Sequence, residues 1–481
     1  MELRRALSDP ILHKQLSVPF TKITIFGGLT DMNTQKPKNL VWYPIYTIGD
    51  LASGIYSVTP SILLMFYMTN ILGIPVALAT AAAFLPKVID LFANPFIGAL
   101  SDRTTTRLGR RRPYMLFAAL TILPSFALIW VSPFSSATVS AFFVIGAFSI
   151  CTVCFSCFPV TFLALNSEIA TDYHDRTSLN SYRTMYSMVG CLLAGAGAPL
   201  IVEHFGGGKD GYAAMGIAMG AVMALATMIT FVTAREPARK NTTTPPSFRQ
   251  IWTSISSNRP FLLLLSAYFL HIVGAGVTGA ALAYFVAYIL QRDTDFLALL
   301  FLLSFGTSVL VIPLYVWLGR LVGKFYAYIT GLCLIVIFST AYFFVGATTP
   351  LTTLLAVVTL ASMHEGGIQV FTFSMLADCI RENTTSDTEL TTEAMYNGIF
   401  IAGEKLGFAT GALLSGAIFM ATGLVETTEG FIDQPGSALS GISMSVSLIP
   451  AALNLIAALI FIFYKAFDQR VVKLNACITT S

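Results

Sequence analysis

Residues 85–114 read LPKVIDLFANPFIGALSDRTTTRLGRRRPY: an apolar run carries Lys87 and Asp90, then breaks into Arg103, Arg107, Arg110, Arg111 and Arg112. Lys87 and Asp90 are three residues apart, so on a helix they share a face and can pair. At a bilayer centre each charge costs roughly 2.5–3.5 kcal/mol on insertion scales, so such residues turn towards a polar interior or a water-filled path. The arginine cluster directly after the run marks a membrane face, and that face is expected to be cytosolic. The stretch therefore reads as a transmembrane helix of a protein through which something moves.

Composition extends this reading to the whole chain. Of 481 residues, 55% are hydrophobic and 11% charged, with a mean hydropathy of +0.73. Soluble domains average about 25% charged residues, so an ordinary soluble enzyme is excluded. The net charge of +3 is small, and no nucleic-acid partner is expected. The seven cysteines lie in apolar segments, near their ends or in the tail, which implies reduced thiols rather than a disulfide framework. Cys151, Cys154 and Cys157 recur every three residues, but cysteine is a common small buried apolar residue, and no metal site is expected. The N-terminal MELRRALSDPILHKQLSVPF lacks the apolar core and cleavage site of a signal peptide and reads as a cytosolic tail or short amphipathic segment.

A transmembrane helix needs about 20 mostly apolar residues. Twelve such spans are predicted, near 42–70, 75–100, 113–133, 137–166, 181–203, 212–234, 260–290, 294–318, 325–347, 350–377, 394–422 and 437–466. The one long internal polar break, 235–259, carries five cations and Pro245-Pro246. It divides the chain into a cytosolic tail 1–41, a six-helix bundle 42–234, a linker 235–259, a second six-helix bundle 260–466 and a tail 467–481. With this topology 23 of the 28 Lys and Arg fall on the side of both termini, two (Lys209 and Arg292) on the other and three within or at the edge of spans. That asymmetry puts both termini in the cytoplasm, and the opposite loop 424–437 carries Glu426, Glu429 and Asp433. Asn241-Thr242-Thr243 fits a glycosylation acceptor but falls in the cytosolic linker. The fold class is thus an all-α membrane protein of the major facilitator arrangement, with a small-molecule substrate bound at the midplane between the halves. Each half supplies one wall of a single site, so a monomer in the lipid bilayer is expected, in a cell (inner) membrane. A weak internal echo supports the repeat: GALSDRTTTRLGRRR after the second span is answered by WLGRLVGK after the eighth.

Four stretches resemble one family more closely. GDLASG with FYMTNILG on the first span, DLFANPFIGALSDRTTTRLGRRRPY on the second, SEIATDYHDRTSLNSYR after the fourth and SMLADCIRENTTSDTEL with EAMYNGIFIAGEKLG at the tenth and eleventh are similar to the glycoside–pentoside–hexuronide:cation symporters, the melibiose-permease branch of the major facilitators. The resemblance implies a cation site built on a D-x-x-x-D-P pattern of second-span carboxylates. Here the first carboxylate matches Asp90, while the second falls on Asn94 before Pro95. An amide oxygen brings no charge, and hard cations favour carboxylates, so sodium coupling is not expected. The carboxylates that galactoside-binding members use on the first and fourth spans fall on Gly54 and near Pro159, while Arg183 and Lys405 match family positions.

The candidate site follows. Asp90, Asn94, Lys405 and Glu365 are candidates for proton or cation coupling, with Lys405 expected to pair with Asp90 or replace a cation. Asp50, Arg183, Glu404 and Lys405 are candidates for the substrate cavity. Glu404 and Lys405 are adjacent and point about 100° apart, so each needs a partner elsewhere. His364-Glu365-Gly366-Gly367 interrupts the tenth span; a His beside a carboxylate in lipid can relay protons, and the glycines would let backbones approach or the helix bend. His271 on the seventh span carries only a general expectation of lining the cavity. Asp102, Arg103, Arg110 and Arg111, with Glu168–Arg176 and Asp378–Arg381, are expected to latch the cytosolic side. No HExxH, GxSxG or P-loop pattern is present. The reading is a secondary active transporter of a sugar or glycoside, proton-coupled or facilitative, with no catalytic residue and no cofactor. A proton or another monovalent cation would serve as the coupling ion. An amphiphile carrier on the same fold is the alternative, and a membrane enzyme or sensor the remote one.

Overall fold

The computed structural model describes residues 42–169, 173–236, 255–293, 295–382, 389–427 and 432–467. The N-terminal tail, most of the linker and nearly all of the C-terminal tail fall outside them. In lipid every backbone N–H and C=O must be satisfied within its own segment, so apolar runs of this length become helices. The described residues form twelve long apolar helices: α1 (Trp42–Ile71), α2 (Val76–Arg103), α3 (Arg112–Ile129), α4 (Ala137–Asn166), α5 (Ser181–His204), α6 (Lys209–Thr233), α7 (Arg259–Ile289), α8 (Asp295–Val322), α9 (Lys324–Phe344), α10 (Leu351–Ile380), α11 (Tyr396–Thr422) and α12 (Gly436–Phe467). Their bounds agree with the predicted spans to within a few residues.

Burial separates inner from outer helices. The most apolar stretches of α1, α4 and α7 are 72%, 61% and 56% buried, while that of α8 is 28% buried and faces outward. Local signals set the ends. Asn258 caps α7 by accepting from Phe261 N at 3.0 Å, with Pro260 at the first turn. Its amide also donates to Cys379 O at 3.0 Å, fastening α7 to α10. The internal echo has a structural counterpart, because Gly109 and Gly323 take positive φ (106° and 88°) in the corresponding loops. Likewise α1 and α7 both finish in a wide π-type turn, Tyr67–Ile71 and Phe285–Ile289.

The two ends of the molecule differ. At the end away from the arginine loop, one apolar cluster runs continuously through α1, α2, α4, α7 and α11, uniting Phe66, Tyr67, Tyr284, Phe285 and Phe419. Polar bonds seal it. Thr69 Oγ1 lies 2.6 Å from Tyr284 Oη, Asn70 binds Tyr288 Oη, and Glu426 accepts from Val76 N at 2.9 Å. Gly416 of α11 meets Thr80 of α2 so closely that a Cβ there would overlap the threonine. Towards the arginine loop the core divides. One cluster holds residues from Tyr46 to Ala234 and the other residues from Ile255 to Phe467, with none in common. The buried apolar contacts are thus shared between the halves at one end and separate at the other.

His364-Glu365-Gly366-Gly367 does not interrupt its span, contrary to expectation: the helix runs unbroken from Leu351 to Glu382. Of the two roles expected of the glycines, they serve close approach and not a bend. A Cβ on Gly366 would strike the backbone of Ser308, and one on Gly367 the ring of Tyr315, so both let α10 lie against α8.

Candidate functional site

Midway along α2, Asp90 is buried to 4% exposure. Its partner is not Lys87, as the three-residue spacing allowed, but Lys405 of α11, whose Nζ lies 2.5 Å from Oδ2. Ser156 of α4 donates to Oδ1 at 2.6 Å, so both carboxylate oxygens are engaged. Lys87 turns the other way, its ammonium 4.9 Å from the Tyr56 ring centre and 5.7 Å from that of Phe148. A cation over an aromatic face is attracted by the ring quadrupole, and Asp90 remains within electrostatic reach of Lys87. One turn below Asp90, the Asn94 amide oxygen is buried and accepts no hydrogen bond.

Asp50 and Arg183 form a second pair, Nε to Oδ2 at 3.0 Å, with Ser53 donating to Oδ1 at 2.7 Å. Asp50 therefore joins α1 to α5 and does not cap its helix. Glu404 lies within electrostatic reach of Glu365, Tyr268, Lys405 and His271. It is set between the α2–α11 pair and a cluster of His271, His364 and Glu365. The space enclosed between Pro60, Met65, Lys87, Phe148, Gly276 and Phe408 is about 20 Å³. That holds about one water.

A family profile described as "MFS/sugar transport protein" matches residues 45–466. The chain belongs to this family. The "Isoprimeverose transporter" of Lactiplantibacillus pentosus is 22% identical over 425 residues, covering 87% of each chain. The "Sodium-dependent lysophosphatidylcholine symporter 1" of Xenopus tropicalis is 21% identical over 482 residues, covering 92% of this chain and 91% of that one. Among solved structures, a bacterial homolog of the human lysosomal transporter Spinster, in an inward-facing and unoccupied conformation, superposes with a TM-score of 0.63 at 15% identity. It covers 90% of this chain and 96% of its own. The expected likeness to the glycoside–cation symporters is thus borne out, and with it the twelve-helix major facilitator fold. The protein is a multi-pass integral membrane protein and a secondary transporter of a small molecule, not an enzyme.

Within the family fold, Gly54 has a physical explanation. It lies against Gly190, and a Cβ there would overlap the backbone of Ser187, Gly190 and Cys191 on α5. α1 and α5 touch backbone to backbone at the position where the resemblance implied a sugar-binding carboxylate. Gly54→Asp is therefore expected to destabilise the protein, not to create a clamp. Overpacking alone costs about 1–3 kcal/mol, and an unpaired buried charge adds to it. A lower melting temperature of the detergent-purified variant checks this; an unchanged one would show that the helices can part.

At the arginine loop, Glu236 is a residue the sequence did not single out. Its carboxylate accepts from Arg110 N at 3.0 and 2.9 Å and from Arg111 N at 3.2 Å, tying the loop to the start of the linker. Gly109 takes φ 106° there, a conformation that side chains rarely adopt, and a Cβ would also displace that carboxylate. Arg111 reaches Asp102 at 3.4 Å, and Arg103 is exposed. Asp378 bonds Lys324 of α9 at 2.6 Å, a partner not anticipated. The side chains of Glu168, Arg176 and Arg381 lie outside the described residues. Cys151, Cys154 and Cys157 are buried as free thiols.

Proposed function

We propose that this transporter carries a sugar or glycoside by alternating access, and that its coupling element is the Asp90–Lys405 pair, operated by a proton or left uncoupled rather than by sodium. The observation that carries the reading is the occupancy of Asp90. Lys405 fills the position on Oδ2 that an external cation would need, and Ser156 fills Oδ1. Sodium would have to displace a tethered ammonium while finding Asn94 in place of the second carboxylate. A proton needs no such space. Protonating Asp90 removes the charge that holds Lys405, and with it the only α2–α11 ion pair among the described residues. The charged and titratable groups facing Asp90 are Lys405 from α11, Lys87 on its own helix and Tyr56 from α1.

In this reading the bundles 42–234 and 260–466 rock about the seal of α1, α2, α7 and α11. The basic end faces the cytoplasm of a cell membrane, and the conformation described above is inward-facing. Asp50, Arg183 and Glu404 supply polar contacts for solute hydroxyls, and a monomer suffices. Uptake of labelled pentosides, hexuronides and glycosides into proteoliposomes, with pH and sodium gradients applied separately, tests the reading. Accumulation that responds to the pH gradient, or equilibration without either gradient, supports it; accumulation that follows sodium at fixed pH overturns it.

A second reading keeps the fold and changes the cargo to an amphiphile. It draws on the relative named for lysophosphatidylcholine and on the central space, which apolar side chains line around a single cation, Lys87. Uptake of a labelled lysolipid in the same vesicles, with no uptake of any glycoside, would favour it.

A further inference from the structure

His271 on α7 and His364 and Glu365 on α10 bring two ring nitrogens and a carboxylate oxygen within 4.8 Å of one another. The hydrogen bonds behind them settle where the ring protons are. Asn454 of α12 donates its Nδ2 to Pro450 O at 2.8 Å, a group that can only accept. Its Oδ1 must therefore face His271 Nδ1, at 2.9 Å, and this nitrogen carries the proton. His364 Nδ1 faces the carbonyl of Ala361, again acceptor-only, so it too is protonated. In the neutral rings both Nε2 atoms are then bare lone pairs.

Both lone pairs point at the same atom. Glu365 Oε2 lies 3.5 Å from His271 Nε2 and 3.4 Å from His364 Nε2. Glu365 Oε1 is separately satisfied by Gln369 Nε2 at 3.0 Å. His271 is 1% exposed, and its Nε2 has no hydrogen-bond partner. Three acceptors converging in a buried place repel each other unless something positive lies between them. The separations exceed the roughly 2.7–2.9 Å of a charge-assisted N–H···O bond. These two nitrogen–carboxylate separations are close to the edge of a tetrahedron with metal–ligand bonds of about 2.0–2.1 Å, which is about 3.3–3.4 Å, and the three ligand atoms together lie within 4.8 Å.

We propose that His271, His364 and Glu365 form a binding site for a first-row divalent transition metal of the zinc class. Two imidazoles and one carboxylate favour zinc, cobalt or nickel over calcium or magnesium, which take oxygen ligands. Each ligand has an outer partner that orients it: Asn454, Ala361 O and Gln369. The Glu365 side chain is 35% exposed, which leaves a fourth position for a water or another small ligand, and Glu404 lies within electrostatic reach. The site goes beyond solute transport and does not depend on which solute is carried.

The test uses tag-free, full-length protein in nanodiscs, titrated with Co²⁺ and followed by visible absorption, then back-titrated with Zn²⁺. One equivalent of Co²⁺ with the intense bands of a four-coordinate centre, displaced by Zn²⁺ and not by Mg²⁺, is expected. His364→Ala and Glu365→Gln each lose the signal. Asn454→Leu, which removes only the orienting bond, weakens binding by about 10–100-fold. Asp90→Asn, on the other half, leaves it unchanged. Elution of each variant as a single monodisperse peak separates loss of the site from loss of the fold. No four-coordinate signal in the wild type would make the cluster a protonated imidazole–carboxylate group and overturn the proposal. So would a signal that survives His364→Ala combined with Glu365→Gln.

Discussion

Asp90→Asn is expected to abolish accumulation driven by a pH gradient while leaving counterflow exchange measurable. The substitution keeps the shape of the side chain and an oxygen to accept from Ser156, but it can neither hold the Lys405 ammonium nor take up a proton. If one proton accompanies each solute, a gradient of one pH unit sustains about tenfold accumulation, since 1.4 kcal/mol is a factor of ten. The variant should bring solute only to equal concentration on both sides. Exchange persists because it requires the loaded carrier to reorient, and a neutral residue 90 leaves α2 and α11 unlocked. Proteoliposomes preloaded with unlabelled solute measure exchange, and those with an imposed pH gradient measure accumulation. A variant that still concentrates solute would remove Asp90 from the coupling mechanism. Loss of both activities in a well-folded variant would make the pair a structural brace.

What could be read from the chain divides along physical lines. The twelve spans were legible because lipid imposes a local requirement, about 20 apolar residues that satisfy their own backbone, and the charges obey it. The depth of Asp90 and Lys405 was legible for the same reason. Their pairing spans 315 residues, so no local spacing encodes it; it was expected as one of two alternatives because Lys405 matches a family position. Lys87 was misread because a three-residue spacing offers a partner without requiring it, and the Tyr56 ring competes successfully for the ammonium. Glu236 and the Lys324–Asp378 pair left no signal, since an acid at a span boundary resembles any solvated residue until a loop folds onto it. Gly366 and Gly367 carried two readings, bending or close approach, and only the presence of Ser308 and Tyr315 beside them chooses the second. His271 and Glu365 were each noticed alone; their convergence depends on how α7 crosses α10, which no periodicity encodes.

Lys405→Ala is expected to make a sodium-indifferent transporter respond to sodium, at a cost in stability. Removing one member of a buried pair typically costs about 3–5 kcal/mol, because the other charge is stranded. Lys405 is 40% exposed and Asp90 5%, so solvent already screens part of the pair and the loss should fall at or below the lower bound of that range. The vacated Oδ2 then offers a carboxylate to an external cation. Asn94 supplies a second oxygen one turn along α2, already buried and without a donor. The melting temperature of Lys405→Ala should rise with sodium chloride but not with choline chloride, while that of the wild type responds to neither. Sodium at about 100 times its Kd would return about 2.7 kcal/mol. Adding Asn94→Asp restores the two-carboxylate pattern and should tighten the response, limited by Ala93, which brings no ligand oxygen. Asp90→Asn in the Lys405→Ala background removes the stranded charge, so it should recover the stability and erase the sodium effect together. A wild type already stabilised by sodium would mean that Lys405 leaves Asp90 readily, and the tethered ammonium would no longer explain indifference to sodium.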